Sequence, residues 1–508
     1  MFAWNLARAY YPGQAFTYFI EFGSRNHARY LPEVRAVNHF EMPDSAGYDA
    51  QWYAQIAAHP RLADPALDRA VDGLRYRARR ILFPGLAWLL AGGDPVGAID
   101  VYSVENVVAW VLLAVLLFRW LPPTSWDHCA RWAAVLLSFG LVFSVERALP
   151  DGPSLLVIAA AAALAERGRP WLAAGVLAIG GLGKDTNVLA ASGLGDGPER
   201  RRRWAVQAAL VVLPLALWTA CLRLWLGPGP AAGERNFAGP FVGLAHKIAE
   251  ILSRLPAQGH EGLVARYDAC VMAGLLAQLL FFGLRWRPDD RWWRIGASYA
   301  VLAVFLGNAV WEDYPSAAAR VLLPMTLAFN LRVPKGAAWA LLLVAGNLGI
   351  LASADIARPP TRESYRVVGP RALRINPVDR SVVEAVYGPE NWWLPERSLR
   401  EFSRWNAGTA TVTLRNPQPF AIAAQVSFKL LSPGRRAVSV SLGAREVWEG
   451  DLRAAVVTPV TLAPFELPPG DTVLTFRTDR PAAYPANGDQ RRVTFKLKDL
   501  QIDLLGRK

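Results

Sequence analysis

Cysteine, histidine and charge are all scarce in this chain, and each scarcity narrows what it can be. Three cysteines in 508 residues, Cys129, Cys221 and Cys270, stand far apart with no metal-ligand spacing, and read as core or lipid-facing residues. Six histidines form no HxxxH or HExxH pattern, which argues against a zinc site. Charged residues make up only 19% of the chain against 53% hydrophobic, outside the usual globular mix. The net charge is nonetheless +13, but no basic face on a soluble segment accompanies it, which argues against a nucleic-acid partner. Residues 1–23 lack the ordered basic, apolar and small-residue parts of a signal peptide, and "QAFTYFIEFG" is too short and polar to span a bilayer. "GGLGKDT" fails as a P-loop, because Ala178 stands where the first glycine belongs and Asp185 where a hydroxyl must meet magnesium. No inverted repeat with paired broken helices is visible, which sets a transporter aside.

What the chain has in plenty is clustered apolar sequence and 20 tryptophans, the composition of a multi-span membrane protein. Apolar runs fall at 104–120, 131–146, 153–166, 170–184, 186–198, 204–226, 262–284, 295–311, 317–332 and 337–354, about 10 spans, several of them short. Short spans line a protein-filled or watery interior more often than lipid. The run 81–92, "ILFPGLAWLLAG", reads as a re-entrant or half-length helix. Residues 1–354 thus form a polytopic α-helical membrane domain, with interfacial helices expected over 24–92 and 241–255. After a Pro- and Arg-containing linker, 355–387, the texture changes. "TATVTLRN", "AAQVSFKL" and "AVSVSLG" alternate apolar and polar residues between turn signals, and residues 388–508 read as an antiparallel β-sandwich. Trp392 and Trp393 read as a core pair at its start, with sugar stacking as the alternative.

Arginine-rich loops set the orientation. "ERRRR" (199–203), "RWRPDDRWWR" (285–294) and "RVPKG" (332–336) belong on the cytoplasmic side, as does "RWLPPTSWDHCAR" (119–131). Asp49, "RALPD", "GKDT" and everything beyond 354 then share the outer side. In "GYDAQWYAQIA" (47–57), a helix places Asp49 and Tyr53 on one face, with Gln51, Trp52 and Gln55 around them. Flat rings and amides suit a sugar, and the carboxylate could take a proton from an attacking hydroxyl. The alternative is a solvated acid on an interfacial helix. In "DGLRYRARRIL" (72–82), Arg77 and Arg80 share a helix face with Arg79 to one side. Their guanidiniums suit a phosphate, or form a collar on lipid headgroups. Arg147 with Asp151, and Lys184 with Asp185, could be chemical groups or simple ion pairs at helix ends. Glu312, Asp313 and Arg320 lie on the same expected side, with Arg320 facing a cavity or snorkelling.

Four stretches in order, "YPGQAFTYFIEFG", "GYDAQWYAQIA", "YRARRILFPGLAWLLAGG" and "ERALPDGPSLL…ERGRPWLAAGVLAIGGLGKDT", resemble bacterial integral-membrane glycosyltransferases of the GT-C superfamily. The branch nearest in pattern extends lipid-linked or GPI-type glycans with mannose. The resemblance covers roughly residues 11–335. It implies a helical fold with its site at the outer face, a polyprenyl-phosphate sugar as donor, a glycan or lipid as acceptor, and inversion at the anomeric carbon. Asp49 would be the base. Arg77, Arg80, Lys184 and Arg320 would face the donor phosphate, with Tyr53, Gln51, Trp52, Arg147, Asp151 and Asp185 in support. Lys184-Asp185 stands where the family more often carries Arg-Glu. The family also has a membrane helix before the first outer loop, which residues 1–23 do not supply. No cofactor or metal is implied, and the location would be a bacterial inner membrane. The rival is a non-catalytic scaffold or export component for surface-glycan assembly.

Overall fold

The computed structural model describes residues 6, 9, 15–36, 39, 41–42, 45–195, 201–227, 234–257, 259–312, 314, 317–356, 366–367, 383–393, 396–397, 402–416, 420–485 and 491–507. Most of the expected linker, and Asp313, lie outside the described residues.

Among the described residues, three helices are long and apolar enough to cross a membrane: Pro95–Leu117, Arg202–Leu226 and Gly262–Leu284. At ~1.5 Å per residue, a 23-residue helix rises about 34 Å, the thickness of a bilayer core. Their outward faces carry Val108, Val111, Leu112 and Val115 on the first helix and Leu213, Leu217 and Leu224 on the second, all exposed. Asp94 opens the first of these helices, its carboxylate accepting from the Gly97 amide ahead of Pro95 at the first turn. Trp126–Leu136 and Phe139–Glu146 meet at a 46° bend and count as a fourth crossing if taken together. The remaining apolar runs fold as shorter pieces, among them Asp151–Glu166, Pro170–Gly181, Arg291–Phe305, Leu323–Arg332 and Ala337–Gly346. Of the run 186–198, expected as a crossing, residues 186–194 belong to a 3-10 helix, Asp185–Leu194, and 196–198 lie outside the described residues. Breaks containing glycine or proline at 168–170, 183, 307 and 334–336 divide what hydropathy alone joins.

The expected half-length helix is present as Leu82–Leu90, with Leu89 and Leu90 largely exposed, packed on Ala50–Ala58 and Pro95–Leu117. The expected amphipathic helix is Val242–Arg254, but its inner face differs from the apolar stripe. Phe241, Leu252 and Leu255 are exposed, whereas Lys247 is fully buried and pairs with Asp268 at 2.6 Å and Glu250 at 3.2 Å. A charge pair, invisible to hydrophobic periodicity, therefore docks this helix on Gly262–Leu284.

The C-terminal part holds two mainly antiparallel sheets. One runs Arg445–Leu452, Arg436–Leu442, Gly470–Thr478, Ala410–Asn416, Glu384–Tyr387. The other runs Val457–Thr461, Ile422–Leu431, Lys496–Arg507, Phe402–Trp405, Glu396–Arg397, with Phe465–Leu467 on the second strand and Arg366–Val367 parallel to the third. Burial alternates along Ile422–Leu431 as the sequence pattern requires, and Val412, Val440 and Phe476 of one sheet share an apolar cluster with Val426, Phe428 and Leu497 of the other. Trp392 belongs to this core, edge-on to Tyr387, Phe476 and Phe495, and bonds the Thr411 carbonyl at 2.9 Å. Trp393 does not complete a core pair: it sits half-buried at the rim, held to the Arg492 carbonyl.

Replacing Lys247 by Met would strand the Asp268 carboxylate in a buried position, at a cost of about 3–5 kcal/mol. Thermal unfolding in detergent should show that loss for Lys247→Met, and most of it should return in Lys247→Met with Asp268→Leu. Additive losses in the double variant would refute the pairing as the docking contact.

Candidate functional site

Asp49 stands at the start of helix Ala50–Ala58, and its position is fixed by close backbone crossings. Gly47 has φ +74, and a Cβ on Gly23 would lie 2.1 Å from the Gly47 nitrogen, so only glycine lets these strands of chain meet. The Tyr48 amide then donates to the Glu21 carbonyl at 3.1 Å. Gln51, expected to face a substrate, points inward instead. Its Oε1 accepts from the Tyr30 hydroxyl at 2.7 Å and the Gly23 amide at 3.2 Å, and its Nε2 donates to the Ala46 carbonyl at 2.8 Å. Gln55 likewise bridges the Leu31 amide and the Ala70 carbonyl. Trp52 is buried beneath Arg29, 5.8 Å from the guanidinium carbon. These three hold the helix in place and offer no face to a ligand. A buried backbone needs partners for its polar groups, and the amides serve that need first.

The Asp49 side chain stays 39% exposed and accepts from Arg77 Nη2 at 2.9 Å. Arg77 is buried and forks onto a second carboxylate, Asp72, at 2.9 and 2.7 Å, with Tyr53 beneath it at 5.6 Å. It clamps two acids and is not a free phosphate fork. Burial pushes the Asp49 carboxyl up, but the charge and hydrogen bond of Arg77, followed by the charges of Arg320 and Arg80, hold it below its ordinary value. Arg80 donates to the Tyr53 hydroxyl at 2.6 Å and lies 3.9 Å from Asp185. Arg79, which an ideal helix sets to one side, meets the same Asp185 at 3.3 Å and stacks over Tyr76. The cause is a change of winding: Leu74–Arg77 is a single α turn and Ala78–Arg80 a tighter 3-10 turn.

Behind these groups lies a buried cluster. Lys184 and Arg320 both pair with Asp151, the latter at 3.2 Å, and Arg320 reaches the Tyr48 hydroxyl at 3.4 Å. Arg320 also lies over the rings of Tyr48 and Phe143, which meet edge to face at 5.5 Å. It comes within range because Gly140 has no side chain: a Cβ there would lie 2.2 Å from the Ala319 carbonyl oxygen. Arg147 does not pair with Asp151. Helix Phe139–Glu146 ends just before it and Ala148 takes φ +43, so the four-residue spacing loses its helical meaning and Arg147 pairs with Glu21 at 3.0 Å. Lys184 and Asp185 do not act as a unit, since they turn to different partners, Asp151 and the arginine pair. Glu312 pairs with exposed Arg235, whose neighbour Asn236 reaches the Tyr76 hydroxyl at 3.4 Å.

The structure thus joins Asp49, Tyr53, Arg77, Arg80, Asp151, Lys184, Asp185, Arg320 and Arg147 in one network, from stretches as far apart in the chain as Asp49 and Arg320. Sequence reading missed Asp72, Glu21, Tyr76 and Phe143 as its members. Only Asp72 and Tyr76 carried a signal, lying in the same short stretch as the arginines. Among the described residues, no group of three or more metal-ligating side chains forms. Chemically, the network offers a partly exposed, ionised carboxylate beside several cations, the setting for proton removal next to a developing negative charge.

Because the folded Asp49 pKa lies below the ordinary 3.8, its pairing stabilises the fold above that pH and is lost as pH falls through the folded value. Arg77→Gln removes the downward pull and leaves the burial. Its acid-unfolding midpoint, followed in detergent, should therefore move to higher pH than wild type; an unchanged midpoint would refute the clamp. No family model matches this chain, and no curated protein matches it.

Proposed function

We propose that the protein is a membrane glycosyltransferase that moves a sugar from a polyprenyl-phosphate donor to a glycan or lipid acceptor at the outer face of a bacterial inner membrane. The observation that supports this best is the partly exposed, ionised Asp49 held by Arg77 and within reach of the charges of Arg320 and Arg80. The acceptor oxygen attacks the anomeric carbon from the face opposite the phosphate. Asp49 takes the hydroxyl proton as the new C–O bond forms. The old C–O bond breaks toward phosphate, its electron pair leaves with that group, and the configuration inverts. Cations beside the departing phosphate lower the barrier. Arg80 and Arg79 suit that role better than Arg77, which is already bound to two carboxylates. On this reading the short helices pair into a ten-crossing GT-C-like domain, and the two C-terminal sheets form an extracytoplasmic β-sandwich over the site.

One observation favours the rival reading of a non-catalytic scaffold. Lys184 and Arg320 are buried against Asp151 and serve the fold as they stand. The two readings separate on Asp49. Asp49→Asn should cut transfer in a membrane assay by about 10²–10⁴-fold, the usual worth of a general base, with expression unchanged. Retained turnover would remove Asp49 from the chemistry. Mass spectrometry of surface glycans and polyprenyl-phosphate sugars in a deletion strain gives the broader test, and an unchanged profile would favour the scaffold.

A further inference from the structure

A second polar site lies away from the Asp49 network, and nothing in the proposed transfer reaction uses it. Helix Pro95–Leu117 connects the two: Tyr102 in its first half bonds the Ala148 carbonyl beside Arg147, and 15 residues on, about 22 Å of helical rise, Leu117 ends it. Beyond that end, three loops that the sequence makes cationic converge on a cavity of about 520 Å³.

Its wall divides into groups that build it and groups left over. Arg131 is a staple: Nε holds both oxygens of Asp127, while Nη1 and Nη2 donate to the carbonyls of Asn330, Val333 and Pro334. Arg332 is matched by Asp290 at 2.8 and 2.7 Å. Among the described residues, Arg285, Arg287 and Lys335 have no carboxylate partner. Arg285 stacks 4.2 Å over Trp339, which leaves its N–H edge available. Lys335 Nζ lies 2.8 Å from His128 Nε2, and His128 Nδ1 lies 3.0 Å from the Pro122 carbonyl, so Lys335 meets a ring nitrogen and no acid there. Trp293, also in the wall, is buried with an indole N–H that has no acceptor. Three uncompensated cations and an unsatisfied donor around one cavity are the complement of a multivalent oxyanion.

The rim indicates where that anion comes from. Arg285 directly follows the membrane-length helix Gly262–Leu284, so it stands at headgroup level. Its neighbours Leu284 and Trp286 are 81% and 75% exposed, an apolar and aromatic edge suited to acyl chains and their interface.

We propose that this cavity is a binding site for a phosphate ester, filled in the membrane by the headgroup of an anionic phospholipid. The proposal stands whether or not Asp49 is catalytic. To test it, the full chain is purified into nanodiscs of phosphatidylcholine with graded phosphatidylglycerol, and retained lipid is counted by native mass spectrometry. A parallel arm titrates inorganic phosphate as a competitor. Arg285→Gln with Lys335→Gln should reduce phosphatidylglycerol retention at least tenfold with an unchanged melting curve. The control, Arg202→Gln with Arg203→Gln, removes the same charge from an exposed helix start and should stay within about twofold of wild type. Competition by millimolar phosphate, lost in the Arg285/Lys335 pair, would support the same site with a soluble ligand. Equal losses in both double variants would reduce the effect to a general basic collar and overturn the proposal, as would no loss in either.

Discussion

An aspartate as buried as Asp151 can keep its charge only if cations come to it, and here they come from two distant parts of the chain. Lys184 arrives from the turn after Pro170–Gly181, and Arg320 from the short helix Ala318–Val321. Arg320 in turn reaches Tyr48, the residue next to Asp49. This one acid thereby ties together three helical segments and the loop that carries the proposed base. If the pairing failed, the crossings at Gly23 and Gly47 would still hold Asp49, but the turn that carries Lys184 and the helix that carries Arg320 would lose the acid they share.

The same rule explains why the candidate site is crowded with ion pairs. Six cations, Arg77, Arg79, Arg80, Arg147, Lys184 and Arg320, face five carboxylates, Glu21, Asp49, Asp72, Asp151 and Asp185. Near-neutrality makes the cluster tolerable at low dielectric. It also means that a charged ligand must compete for partners already engaged. A phosphate entering beside Arg80 would exchange contacts with Asp185, while Asp49 would keep its bond to Arg77. Such exchange lowers net affinity but makes the cations respond to charge that develops during reaction, which is where binding energy raises a rate.

What the sequence made legible followed from local rules. Apolar runs marked the helices, although hydropathy could not see the breaks that shorten most of them. Alternation marked Ile422–Leu431 and its neighbours, because burial on one face of a strand has an invariant period. Asp49, Arg77 and Arg80 drew attention because they are polar residues in stretches of unusual composition. Contacts set by tertiary approach were not legible. Gln51 looks like a ligand-binding amide until Gly23 and Tyr30 arrive beside it. Arg147 looks like a partner for Asp151 until Ala148 turns the chain. Lys247 looks solvated until Asp268 is found opposite it. In each case the residue type was informative and the partner was not, since the partner is chosen by backbone crossings more than a helix turn away.

Charge compensation also separates the two polar regions. Around Asp49 nearly every cation has an acid, and the geometry there depends on those pairs. At the far end of Pro95–Leu117 the pairs Arg131–Asp127 and Arg332–Asp290 build the wall, while Arg285, Arg287 and Lys335 are left without acids. Positive-inside bias alone would scatter such residues over a loop surface. It does not require that three loops distant in sequence enclose a volume between them, nor that a buried indole N–H among them go without an acceptor. Around Asp49 carboxylates answer the cations, whereas on this one wall three cations and an indole N–H stand together without acceptors among the described residues. The simplest physical reason is that their partner is supplied from outside the chain.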